Sequence, residues 1–142
     1  MPTASRLLQD PSSALEVAVG HEHFRNGEVA LTVHGSGAVD VVQLRSGAER
    51  DWHGRLADDR LRALAAELAE LDVAGLRPRE GGRDPDDDPI RLALRTGGEQ
   101  VHEAQLWHAD RFGDERLDRL LLRWQALTEE VTGGALPYGE PR

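Results

Sequence analysis

The chain has 142 residues, enough for one domain that buries roughly 68% of its unfolded surface. Its 39% hydrophobic and 30% charged residues argue against intrinsic disorder, and seventeen basic against twenty-six acidic side chains leave a net charge of −9, which argues against nucleic acid as a partner. No apolar run approaches the ~20 residues of a membrane helix, and the absence of cysteine excludes disulfides and thiolate metal sites, so a reducing, cytoplasmic compartment is the expectation. Every cation is Arg and none is Lys. With Ala, Leu, Gly and Asp so frequent, this reads as GC-rich coding and not as selection for guanidinium chemistry.

Residues 1–13 contain Pro2, Pro11 and several Ser, lack the charged-then-apolar order of a signal peptide, and are expected to form a loose arm. From Ala14 the pattern alternates: Leu15, Val17 and Val19 fall on one strand face, with Glu16 and Ala18 opposite. Asn26-Gly27 tolerates positive φ and predicts a hairpin turn between His21–Arg25 and a strand over Glu28–His34. Gly35-Ser36-Gly37 makes the next turn. Val39, Val41, Val42 and Leu44 form a further strand before Ser46-Gly47.

Helical spacing begins after Leu56. Leu61, Leu64, Leu68 and Leu71 make one stripe, with Asp58 or Asp59 at the start and Gly75 as the stop. A polar loop from Arg77 to Pro89 leads to strand alternation in Ile90, Leu92 and Leu94, a turn at Thr96-Gly97-Gly98, and a partner strand ending near Trp107. A second helix from about Asp114 buries Leu117, Leu120, Leu121, Trp124, Leu127 and Val131 and stops at Gly133-Gly134. The expected fold is α+β: an antiparallel sheet of five or six strands with two amphipathic helices on one face, in the order β-β-β-(β)-α-β-β-α. Residues 14–132 make the single domain, and 133–142 a flexible tail.

His21-Glu22-His23 has the most metal-like spacing, because residues two apart on a strand share a face. His21 and His23 would still need a third ligand and usually a fourth, for which His102, His108 and Asp110 are the candidates. Asp84, Asp86 and Asp88 occupy the first three ligand positions of a calcium loop, but Pro89 stands where its turning glycine belongs and Arg95 where its bidentate Glu belongs. Ser36 has His34 and Ala38 at the positions two residues either side where a nucleophile elbow needs glycine, and no phosphate-binding glycine pattern occurs. The reading therefore assigns no catalytic residue and no cofactor. Trp124 belongs to the helical stripe, and Trp107 is expected to pack under that helix. Trp52, in the polar stretch Arg50–Arg55, either plugs the sheet edge or anchors a partner.

From Leu56 onward, about half the chain, the layout resembles the emfourin-type small bacterial inhibitors of thermolysin-like metalloproteases. The resemblance lies in Asp59-x-x-x-x-Leu64 running into Leu68 and Leu71, the Leu71–Leu76 exit, the acidic loop, the Ile90–Trp107 hairpin and the second helix. The first half departs from that pattern, and no functional residue of the family finds a counterpart here. The resemblance implies a non-enzymatic protein that covers another protein's active surface. The expected contact residues are Trp52, His53 and Arg55, with Arg50 beside them, and the loop acids Asp84, Asp86, Asp87 and Asp88. These would meet a protein with a basic surface. Edge strands in the first half also leave a homodimer open. The alternative is a metal-binding domain or metal-dependent enzyme centred on His21 and His23.

Overall fold

The computed structural model describes residues 12–20, 27–45, 47–71, 89–96, 99–107, 110 and 113–133. Its strands are β1 (Ser13–Gly20), β2 (Glu28–His34), β3 (Ala38–Arg45), β4 (Ala48–Arg55), β5 (Pro89–Thr96) and β6 (Glu99–Trp107). The helices are α1 (Asp58–Leu71) and α2 (Glu115–Thr132). One antiparallel sheet runs in the order β4-β3-β2-β1-β5-β6.

The first four strands step outward from β1 to the β4 edge, and the chain then returns to pair β5 with the other side of β1. That return spans four strand spacings, about 19 Å at ~4.8 Å each. The 14 residues of α1 rise about 21 Å, so one helix covers the distance. This crossover makes β1 a central strand, which is why it is buried along nearly its whole length.

β4 corrects the sequence expectation. Ala48–Arg55 has no apolar alternation and reads as a polar connection, yet it pairs with β3 along its full length. Gly47, at φ 84°, folds it back, and edge position removes the need for two apolar faces.

The strand register collects the apolar side chains on one face: Leu15, Val17 and Val19, then Val29, Leu31 and Val33, Val39 and Val41, Ile90, Leu92 and Leu94, and Leu106. Leu61, Leu64, Leu68 and Leu71 of α1 and Leu117, Leu120, Leu121, Trp124 and Leu127 of α2 complete one continuous core. Helix α2 has the expected ends. Asp114 accepts a hydrogen bond from the Arg116 amide at 3.0 Å, and Gly133 adopts φ 65° at the C-terminus. The Trp124 indole N–H donates to the Leu31 carbonyl of β2 at 3.1 Å, pinning the helix to the sheet. Thr128 and Thr132 are buried, and each hydroxyl donates to the carbonyl four residues back, at 2.8 Å.

Trp107 departs from expectation. It lies opposite Pro89, one position out of phase with the buried Ile90–Leu106 pair, so the register turns it to the face away from the helices.

Candidate functional site

Alternation along β4 sends its residues to two faces. Arg50, Trp52 and Gly54 lie opposite Gln43, Val41 and Val39 on the helix side, whereas Asp51, His53 and Arg55 lie opposite Val42, Asp40 and Ala38 on the open side. Trp52, half-buried, packs against the core margin, and the Arg50 guanidinium sits 4.7 Å from its ring centroid. This is cation–π geometry at an exposed strand. Gly54 lies beneath α2, where a Cβ would come within 3.2 Å of Val131 Cγ2. Of the two roles the sequence left open for Trp52, the geometry bears on the first: the ring packs against the core margin at the sheet edge and carries Arg50 at its rim.

On the open side, four titratable side chains from three strands join in one cluster. The Asp40 carboxylate of β3 lies 2.9 Å from His34 Nε2 on β2 and 2.7 Å from His53 Nδ1 on β4. His53 Nε2 lies 3.1 Å from Asp51. With a carboxylate at each ring nitrogen, His53 satisfies both contacts only as the imidazolium, where both nitrogens donate. The bond to Asp40 first, then that to Asp51, accordingly raises its pKa above 6.5. Partial burial works against ionisation of Asp40, but the hydrogen bonds from His53 and His34, together with their charge, prevail and hold its carboxyl below 3.8. Arg55 donates to the Ser36 carbonyl at 3.2 Å and so ties β4 to the Gly35–Gly37 turn. The cluster sets histidine nitrogens against carboxylates across β2, β3 and β4. Both ring nitrogens of His53 are engaged by carboxylates.

The sequence-selected contact residues are thus only partly united. Trp52, His53 and Arg55 share one strand but not one face. Asp84, Asp86, Asp87 and Asp88 lie outside the described residues, as do His21, His23 and His108. The acidic segment ends at Pro89, which opens β5 four strand spacings from β4. Asp110 is buried and accepts a hydrogen bond from the Trp107 amide at 2.8 Å. His102 lies opposite Leu94 on the helix-covered face, with its Nε2 shielded and unbonded. Among the described residues no group of three or more His, Cys, Asp or Glu is arranged to hold a metal ion.

Sequence reasoning missed His34, Asp40 and Asp51. The available signal was the Ser46-Gly47 turn. Continuing its hairpin through Ala48–Arg55 places Asp40 opposite His53.

Between the helices, Leu56, Arg60, Ala63, Leu64, Glu67, Arg123 and Leu127 line a groove of about 230 Å³. At its rim Arg60 binds Glu130 through both guanidinium ends at 2.9 and 3.0 Å, and Arg123 binds Glu67 at 2.7 and 3.2 Å. The volume is below that of ordinary small-molecule sites, and the polar groups at its rim are engaged with one another. No helix among the described residues is long and apolar enough to cross a membrane. In comparisons with known proteins, the chain matches no family model, and no curated protein is significantly similar to it in sequence.

Proposed function

We propose that this chain is a non-enzymatic, cytoplasmic protein-binding module of inhibitor or immunity type whose partner presents a basic surface. The observation that carries the reading is the β4 edge, where Arg50 stacks on a half-buried Trp52 and His53 and Arg55 line the opposite side. Trp and Arg are the residue types that most often dominate binding energy at protein interfaces. Asp84, Asp86, Asp87 and Asp88, in a chain of net charge −9, supply long-range attraction for a basic partner. The cysteine-free sequence suits a reducing interior, and the likeness of the second half to emfourin-type inhibitors points the same way.

The test is capture of partners by the tagged full chain at low and high salt, beside a variant with Asp84, Asp86, Asp87 and Asp88 changed to Asn. A stoichiometric partner that is released by salt and lost with the variant supports the proposal. Equal capture by the charge-neutral variant, or no stoichiometric partner at all, overturns it.

A further inference from the structure

The two edges of the sheet differ in how they are protected against further pairing. β6 carries Glu99 and Glu103 with no arginine, and its pairing with β5 is interrupted by a register shift at Leu94/Arg95. Like charge and irregularity are the ordinary means of blocking an edge. β4 has neither. It is eight residues long, pairs with β3 without a shift, contains no proline, and balances Glu49 and Asp51 against Arg50 and Arg55. In a chain of net charge −9, this edge carries no net negative charge.

Its backbone presents a definite set of groups. The Leu56 amide donates to the Gly37 carbonyl at 2.8 Å, so 37/56 is a hydrogen-bonded pair, and antiparallel alternation makes 39/54, 41/52 and 43/50 the pairs that follow. Glu49, Asp51, His53 and Arg55 therefore direct their N–H and C=O groups outward.

Continuing the sheet across a two-fold axis keeps each face on its own side, so opposed residues must share a face. Two registers near the strand centre satisfy this. If Asp51 lies on the axis, it meets its own copy, like charge against like charge. If Trp52 lies on the axis, Glu49 opposes Arg55 and Asp51 opposes His53, each pair occurring twice. On the helix side Trp52 then meets Trp52, while Arg50 opposes Gly54, which lies beneath Val131 of α2. The outward-facing backbone groups fall on the Glu49/Arg55 and Asp51/His53 pairs, which is where the ladder needs them.

We propose that β4 pairs antiparallel with β4 of a second copy of this chain, in the register centred on Trp52, joining two six-stranded sheets into one. The occupant follows from the charge order of the strand, which is complementary to its own reverse. This dimer shares with the proposed function only the premise that β4 is a contact edge, and it leaves the acidic segment to other partners.

Sedimentation equilibrium of the full chain at physiological salt is the first measurement, with a dimer as the expected result and a monomer up to sub-millimolar concentration as the overturning one. The register is tested by charge exchange. Glu49→Arg alone turns two favourable cross-strand pairs into two repulsive ones and is expected to weaken the dimer about tenfold. Glu49→Arg with Arg55→Glu restores it, whereas failure of the double exchange to recover association rejects the register. Because the chain has no cysteine, Trp52→Cys provides a covalent readout. In this register the two Cα atoms at position 52 lie about 4.5 Å apart, within disulfide reach. Asp51→Cys is offset diagonally from its own copy, beyond about 7 Å, and is expected to stay uncrosslinked. Cross-linking through position 51 and not 52 overturns the proposal. If removing Trp52 prevents folding, the charge exchange at exposed Glu49 and Arg55 decides alone. A monomer that still captures a basic partner through its acids sinks the dimer and spares the proposed function, and a dimer that captures nothing does the reverse.

Discussion

On the covered face, Leu15, Val17, Leu31, Val41 and Leu92 meet the two helices through apolar contact, and the Trp124–Leu31 hydrogen bond is the main polar tie described there. One residue further along the same strands, the open face is assembled differently. Small Ala14, Ala18 and Ala93 are buried in its middle, and Glu16 lies between Arg95 at 3.3 Å and Arg91 at 3.7 Å. Toward β4 the histidine–aspartate cluster takes over. The first face is held by area removed from water, which is non-directional: it fixes which face each strand buries without requiring a particular partner for each side chain. The second is held by charges whose value depends on which residue stands opposite which. The two faces are thus held differently: the covered side by apolar contact with the helices, the open side and its β4 margin by charge pairs and the histidine–aspartate cluster.

Removing a contact from each face puts that division to the test. Leu68 of α1 is fully buried in the core, so Leu68→Ala is expected to cost about 2–5 kcal/mol in urea unfolding, the range for a buried leucine that leaves a cavity. A value below about 1 kcal/mol would mean that α1 is not a core element. Trp124→Phe keeps an aromatic ring but removes the indole donor from the Leu31 carbonyl. It is expected to cost about 1–3 kcal/mol, less than Leu68→Ala if apolar contact dominates this face. The opposite order would show that the hydrogen bond, and not the packing, fixes α2 on the sheet.

The two faces were unequally legible in the sequence. Leu15, Val17 and Val19 alternate, the stripe from Leu117 to Val131 repeats with the helical period, and Asp114 and Gly133 mark both ends of α2. Each of these signals lies within a few residues of the side chain it predicts, so the covered face could be read without knowing the topology. The cluster on the open face could not. Asp40 and His53 are thirteen residues apart, and they meet only because β4 forms and pairs in one register. β4 itself escaped because an edge strand with solvent on one side carries Arg50-Asp51-Trp52-His53 without apolar alternation. Trp107 was assigned to the wrong face for a related reason: strand identity was clear from alternation, but phase at the strand's end required the Pro89 partner. Sheet order likewise depended on where α1 returns the chain, which no local pattern encodes.

The smallest expected effect belongs to the open face and is distinguished by its pH dependence. His53 is exposed, so its bonds to Asp40 and Asp51 add little at any pH, but what they add requires the imidazolium. Its folded pKa lies above the ordinary 6.5, so the contribution is complete below that value and disappears as pH rises through the higher folded one. Asp40 runs the other way. Its folded pKa lies below the ordinary 3.8, so its contribution is present above that value and is lost as pH falls through the lower one. Between the two ordinary values both groups are charged and the cluster contributes most. Urea midpoints for wild type and His53→Gln should therefore differ most at pH about 5.5, with wild type the more stable, and converge at about pH 9. Leu68→Ala should lower the midpoint by a similar amount at both. A His53→Gln difference that is equally independent of pH would mean that the ring acts by packing and that the charge reading of the open face is wrong.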